Sequence, residues 1–549
     1  MDINKTQKQT EEEQPLVDER LNDRKVYNFE ELLEASGGFG RMQLYWLIIC
    51  FITLNGTNYF SFTLSFLELE PKFLCGPEGN RTPCETSAVC ENGQIISRDM
   101  WEIDWDNSIH NWMTDMEMFW LSSFRIALFG SLWLLGFAFC GILLKLGDSI
   151  GRRAILIIGV ITNVFFSFGL FFINNIYSRY VLLFLYGVTC AKVVVTYIYV
   201  TEISPKRSGI YCWGVINCTD IIALLPTAFY FLFISNEWRY FYSITMVISV
   251  ISLPMIFYIP ESPKFLYESG RYSELRKVIS RIAKVNRVEM DQNYVIDRAV
   301  ERVSIIGEDL RASVTSKGSN KEEVVAEQIL KKEDFSIMSE LKKPIVMVNL
   351  TIWSILFVAT TFNYYMVNFY LKYAGGNIFW EVISATISEN IAYNVGSVMQ
   401  SKLGTKKAFV AAFFSSMVTS IPLLFWYREE WIVLAWVFAS RFGIAASFTL
   451  VYYVNQEVFP ALFVPFSFTI CNFLARLLGI AAPQIAEVPK PFPILSFIAV
   501  SGVAIISIIF LRKVESEVHD KFEKLEEVSN LDKVKRSTIN QSLDKEVLK

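Results

Sequence analysis

Twelve stretches of apolar sequence constrain this chain more than any other feature. A helix needs roughly 20 predominantly apolar residues to cross a bilayer. Windows of that kind fall near 44–66, 119–144, 154–173, 180–203, 210–234 and 240–259. A second set falls near 345–369, 378–399, 408–426, 431–456, 465–486 and 492–511. Inside lipid the backbone has no water to bond, so such segments fold as helices or closed barrels. Segments of this length and apolarity predict an all-α membrane protein with twelve transmembrane helices, six in each of two bundles.

Composition agrees. The chain has 549 residues, of which 52% are hydrophobic and only 19% charged. Soluble domains usually carry about 25% charged residues. The net charge of −4 argues against a nucleic-acid partner. Only two histidines are present, His110 and His519, far apart in sequence, so a catalytic histidine or a zinc site is not expected. No Walker A pattern occurs, so direct ATP hydrolysis is not expected; no cofactor is expected, and the chain does not read as an enzyme. Six of the nine cysteines (Cys50, Cys140, Cys190, Cys212, Cys218 and Cys471) fall in apolar segments and read as small apolar filler. Cys75, Cys84 and Cys90 share one polar loop, and their odd number leaves the pairing open.

Basic residues in short loops set the orientation. Lys145, Arg152 and Arg153 follow span 2; Lys206 and Arg207 follow span 4; Lys402, Lys406 and Lys407 follow span 8; Arg512 and Lys513 follow span 12. All lie on one side, together with both termini, which makes that side cytoplasmic. The expected organisation is a cytoplasmic segment 1–43, a first bundle 44–260, a cytoplasmic linker 261–343, a second bundle 344–512 and a cytoplasmic tail 513–549. The linker has helix-like spacing near Tyr272 to Ala299 and reads as a solvated stretch with a surface helix. The other side carries one long loop, 67–117, with eleven acidic and three basic residues and the glycosylation sequon Asn80-Arg81-Thr82. Sequon-like triplets at Asn55, Asn217 and Asn349 fall within spans, and Asn540 lies in the tail; these four are expected to stay unmodified.

The chain also repeats itself. Gly151-Arg152-Arg153-Ala154 after span 2 corresponds to Gly404-Thr405-Lys406-Lys407-Ala408 after span 8. Glu202-Ile-Ser-Pro205 after span 4 corresponds to Glu457-Val-Phe-Pro460 after span 10. Two pseudo-symmetric six-span halves point to a transporter with its site between them, near the midplane.

Ionisable residues at membrane depth are costly, about 2.5–3.5 kcal/mol each on insertion scales, so they mark partners or polar pathways. The first half has Arg125, Lys192 and Asp220; the second has Glu389, Arg441 and Arg476. The structural alternatives are plain. Lys192 and Asp220 can neutralise each other, Arg125 can snorkel to the interface, and Glu389 can pair with Arg441 or Arg476. Even then two positive charges are left over, which favours anionic or zwitterionic cargo.

The residues resemble the major facilitator superfamily. Asp148-Ser-Ile-Gly151-Arg152-Arg153 is similar to its signature between spans 2 and 3. Within it, the chain resembles the organic cation/anion/carnitine transporter family over about residues 27–513. The resemblance rests on the segment Phe29 to Gln43, the cysteine-bearing outer loop, Trp238-Arg239, Pro260-Glu-Ser-Pro-Lys-Phe-Leu-Tyr-Glu-Ser-Gly-Arg271, and Ala475-Arg476. Leu144 stands where the family pattern has a glycine, Ile391 where it has a proline, and Leu462 to Pro465 where it has an arginine. The resemblance implies a secondary transporter of small organic ions working by alternating access. It implies that Tyr364 and Tyr365 line the substrate path and that an arginine at position 476 belongs with the anion-carrying branch. Lys192, Asp220, Tyr364, Tyr365, Glu389, Arg441 and Arg476 are therefore the candidate substrate-binding residues. Asp148, Arg152, Arg153, Glu202, Arg207 and Glu261, with Glu457 in the second half, are the candidate gating charges. The expected partners are a small organic ion and the bilayer, with the plasma membrane as the expected location and an endomembrane as the alternative. Rival readings are a cation transporter of the same family, a sugar or polyol porter, and a membrane receptor or scaffold that does not transport.

Overall fold

The computed structural model describes residues 26–78, 80–91, 94–95, 98–290, 294–296, 338, 341–373, 377–426, 429–459 and 463–511. All twelve spans are helices. In the first half they run Arg41–Leu67, Ser123–Ile150, Arg152–Phe172, Ile176–Ile203, Lys206–Phe233 and Trp238–Ile256. In the second they run Pro344–Tyr370, Ile378–Leu403, Thr405–Ser420, Glu430–Tyr453, Val464–Ala486 and Phe492–Ile509. Eleven of them are long and apolar enough to cross a membrane. The twelfth, span 8, is 26 residues long but carries Glu381, Ser388, Glu389, Asn390 and Asn394. Its polarity is turned inward: Glu381, Ser388 and Glu389 are all buried.

Two spans carry a one-residue irregularity at which the backbone stays right-handed. Span 4 consists of Ile176–Thr189 and Ala191–Ile203, joined at Cys190, two residues before Lys192. Span 11 consists of Val464–Gly479 and Ala481–Ala486, joined at Ile480, four residues after Arg476.

The repeated loop motifs share a backbone conformation. Gly151 and Gly404 both take positive φ, +108° and +74°, each ending one helix and starting the next within a single residue. That region is strained for any residue with a Cβ, which is why glycine stands at both turns.

Segment 68–122 caps one end of the body, here called the loop face. It contains a three-stranded antiparallel sheet of Phe73–Cys75, Thr82–Cys84 and Trp101–Ile103. A disulfide joins Cys75 to Cys84, which settles part of the pairing left open by the sequence; the side chain of Cys90 lies outside the described residues. Arg239 ties the sheet-bearing segment to span 6 through Asp115 at 2.9 Å. The opposite end, the base face, carries the Gly151 and Gly404 turns.

At the base face the described part of the linker carries a helix that packs by one face. That helix is Tyr272–Asn286, shorter than the spacing predicts, because Arg287 turns left-handed at φ +60°. One face of it is docked: Leu275, Ile279 and Ile282 are buried. Asn286 accepts from the Met42 backbone at 3.0 Å and donates to Gln43 at 3.0 Å, fixing the helix to the start of span 1. The apolar stripe that makes the helix amphipathic is thus covered by the first bundle. Residues 297–337 and the 512–549 tail lie outside the described residues.

Contacts between the halves gather toward the loop face. Ser65 Oγ donates to the Asn368 carbonyl at 3.3 Å, and Phe66 stacks on Phe379 at 5.8 Å. Ser131 Oγ donates to the Ile480 carbonyl at 2.9 Å, and Gln484 donates to Ser131 at 3.2 Å. A Cβ on Gly130 would meet Phe369 at 2.5 Å, so spans 2 and 7 approach through that glycine.

Candidate functional site

The second half supplies a buried ion pair. Arg441 Nη1, on span 10, donates to Glu389 Oε1, on span 8, at 3.0 Å, and each side chain is 1% exposed. The guanidinium lies over the Tyr364 ring at 4.8 Å and also donates to Asn368 Oδ1. Three spans, 7, 8 and 10, thus converge on one arginine. Glu389 Oε2 and Arg441 Nε are buried without a partner among the described residues. A pair with one spare acceptor and one spare donor can rearrange around a polar guest.

Arg476, on span 11, is held differently. Its Nη1 donates to the Tyr365 hydroxyl, and its Nε reaches Asn472 Oδ1 at 3.4 Å. The guanidinium sits over the Phe137 ring of span 2 at 4.0 Å, and Trp133 meets Tyr365 edge-on at 5.6 Å. Among the described residues it has no carboxylate. Cation–π contact and neutral acceptors keep it buried at 7% exposure, but they do not cancel its charge. The first half gives the aromatic wall and the second the arginine, so the site lies between the halves.

Asp220, on span 5, is nearly buried and accepts from Asn58 of span 1 at 3.0 Å. Tyr393 of span 8 stands beside it, across the boundary between the halves. The structural alternative, neutralisation by Lys192, is not what the described residues show. Lys192 is buried in the seam of spans 3 and 4, where its Cβ would lie 2.6 Å from a Cβ on Gly159, and it makes no ion pair among the described residues. The two charges sit on neighbouring spans, yet the helix rotation sends them apart. Glu389 takes Arg441 and leaves Arg476, which decides the alternative the sequence left open. Arg125 is exposed near the loop face, as snorkelling requires. Of the other aromatics, Tyr199 and Tyr230 donate to the Pro260 and Glu237 carbonyls and serve as braces.

The base-face charges form a second cluster. Glu261 Oε1 accepts from the backbones of Arg152 and Arg153 at 2.8 and 3.2 Å, capping the start of span 3. A carboxylate at a helix N-terminus is favourable because the first N–H groups lack partners. Arg152 Nη2 donates to Glu202 Oε1 at 3.3 Å, its Nη1 donates to the Gly147 carbonyl at 3.1 Å, and its guanidinium lies over Phe265 at 5.3 Å. Arg153 donates to the Phe257 carbonyl at 3.1 Å. Each of these contacts is made inside the first half. They bind the ends of spans 2, 3, 4 and 6 into one unit and do not reach the second half. The side chains of Asp148, Arg207 and Glu457 lie outside the described residues.

Sequence reasoning missed Asn58, Asn368 and Asn472, each of which bonds a central charge. Their signal was present, since a lone amide inside an apolar span calls for a partner. Phe137 and Trp133 carried no signal, because an aromatic residue facing an arginine is indistinguishable in sequence from one facing lipid.

Two six-helix halves with charged side chains buried along their boundary define a secondary-transporter fold. The chain belongs to the Major Facilitator Superfamily, whose family model matches residues 46–483. Among similar proteins is solute carrier family 22 member 16 of Bos taurus, 22% identical, the match covering 83% of this chain and 86% of that one. Another is organic cation/carnitine transporter 4 of Arabidopsis thaliana, 22% identical over 87% of both chains. The fold also matches the inward-open xylose transporter XylE of E. coli with a TM-score of 0.55, at 12% identity, over 88% of this chain and 99% of that one.

Proposed function

We propose that this protein carries a small organic anion or zwitterion across a membrane by alternating access, with the loop face outside the cell. The observation that carries this reading is Arg476: a buried guanidinium between the halves, with no carboxylate among the described residues. An anionic group entering there would complete its coordination in a low-dielectric setting, where charge-assisted bonds are strong. Arg441, its Glu389 partner and the Tyr364 and Tyr365 rings would line the remainder of the substrate path. Inter-half contacts toward the loop face fit one extreme of the cycle. In the other, these would part and the base-face charges Asp148, Arg152, Arg153, Glu202, Arg207, Glu261 and Glu457 would be drawn into contacts across the halves. The acidic outer loop and the exposed Asn80 fit a glycosylated protein of the plasma membrane.

A second reading has its own observation. Asp220 has no cationic partner among the described residues, and the relatives' names include organic cation and carnitine transporters. With Tyr393 and Glu389 nearby it would suit an organic cation, or the cationic end of a zwitterion.

Uptake into vesicles reconstituted with the purified protein separates these readings. The panel is labelled organic anions, cations, carnitine-like zwitterions and hexoses, tested on the native protein, Arg476→Ala and Asp220→Asn. Anion uptake lost in Arg476→Ala alone supports the first reading. Zwitterion uptake lost in both variants identifies a two-ended substrate. Cation uptake indifferent to Arg476 overturns the anion preference. A folded protein that moves none of the panel shifts weight to a receptor or scaffold.

A further inference from the structure

The most concentrated set of buried charge outside the centre lies at the loop-face seam. Lys372, just past span 7 in the second half, places its Nζ 2.5 Å from Glu487 Oε1 and 3.4 Å from Glu68 Oε2. Glu68 belongs to the first half, directly after span 1, and Glu487 follows span 11. The three side chains are at most 5% exposed. Tyr373 donates to Glu487 Oε2, and Lys372 lies 5.1 Å from the Tyr373 ring centre. One turn deeper, Ser65 bonds the Asn368 carbonyl, so spans 1 and 7 are joined by two successive rungs.

Charge does not balance here. Glu68, Glu487 and the nearby Glu70 present three carboxylates to one ammonium. Among the described residues the other titratable groups facing this cluster are the Tyr373 and Tyr180 hydroxyls, which are neutral. Glu68 Oε1 is buried and has no partner among the described residues. A buried carboxylate oxygen without a donor is costly as an anion and is satisfied once it carries a proton.

We propose that Glu68, Lys372 and Glu487 form an outer latch that binds a proton when the loop face closes. The proton comes from the solution on that face and goes onto the spare oxygen of Glu68. Lys372 then neutralises Glu487 while holding the protonated Glu68 from the other half. Burial pushes the Glu68 carboxyl up from its ordinary 4.5 to about 7; Glu487 adds to the rise and Lys372 opposes it. The sign follows. The closed form holds the proton more tightly than an open, hydrated form. Closure is therefore favoured as pH falls from about 7 toward 4.5, and opposed by a buried unneutralised charge above 7. This inference rests on the alternating access proposed above, since it needs a loop face that opens.

The test is a distance measurement that needs no substrate. Spin labels are placed on the full chain in nanodiscs at Ser122 and Trp426, both exposed, through an unnatural amino acid. In the native protein the short-distance population should grow between pH 8 and pH 5, by up to about tenfold per unit. Glu68→Gln, which matches the neutral form in shape, should stay short at both ends of the range. Lys372→Met should shift toward long distances at pH 8. A native distribution that does not change with pH, or a Glu68→Gln protein that keeps the full dependence, overturns the latch. Vesicle uptake separates the two readings: transport with pH-independent distances overturns the latch alone. A single distance under every condition, with no uptake, overturns both.

Discussion

Arg441 and Glu389 meet at 3.0 Å with both side chains 1% exposed, whereas Arg476, on the neighbouring span 11, meets no carboxylate among the described residues. The first arginine is neutralised by the protein, and the second is left for something else to neutralise. Different consequences of mutation follow for the two.

Removing one member of the Arg441–Glu389 pair strands the other as a buried charge, at a cost of about 3–5 kcal/mol. Arg441→Ala and Glu389→Ala should each lower the unfolding temperature of the detergent-purified protein markedly. The double variant Glu389→Ala with Arg441→Ala should lose less than the two single losses combined. Equal additivity in such a cycle would show that the pair is not coupled.

Arg476→Lys keeps the charge but gives up the planar guanidinium that stacks on Phe137 and bonds Tyr365 and Asn472. Uptake should fall at least about tenfold, equivalent to 1.4 kcal/mol, with the substrate concentration for half-maximal uptake raised. Phe137→Leu should act in the same direction with a smaller effect. Thermal stability of both should remain closer to the native value than that of Arg441→Ala.

Gly151 has no room for a side chain. A Cβ there would lie 2.2 Å from Glu261 Oε2, and the backbone is at φ +108°. Gly151→Ala should therefore cost about 1–3 kcal/mol from backbone strain alone, and more from displacing the Glu261 cap. Gly404→Ala is the control: its φ is +74°, but beyond its own turn no atom of the described residues lies within 4 Å of its Cβ position, so it should be milder. Yield of folded protein by fluorescence-detected size exclusion checks the order.

Asn80 is exposed between the bonded Cys75 and Cys84, whereas Asn55, Asn217 and Asn349 are buried within spans. Expression in glycosylating cells should give a band that glycosidase treatment sharpens and lowers. Asn80→Gln should abolish that shift, and substitutions at the other three should not. Peptide mapping without reduction should recover Cys75 linked to Cys84. Their loss in a double serine variant should loosen the loop by about 2–3 kcal/mol on chain-entropy grounds.

The twelve helices were legible in the sequence because lipid leaves the backbone no other way to satisfy itself, and apolar runs of that length report it directly. The duplication was legible because the Gly151 and Gly404 turns demand the same residue at the same place in each half. Span 8 could be read as a span but not as an inward-facing one. Its Glu389 and Ser388 only make sense once neighbouring helices cover them. The candidate charges were likewise named from sequence, since an arginine in an apolar run stands out whatever surrounds it. Their pairing was not. Whether Lys192 meets Asp220, or Glu389 meets Arg441 and not Arg476, depends on the rotation of each helix about its axis. That rotation is set by packing between helices far apart in sequence. The same reason hid Phe137 and the Glu68–Lys372–Glu487 seam: each takes its meaning from a residue in another span, and only the folded chain brings them together.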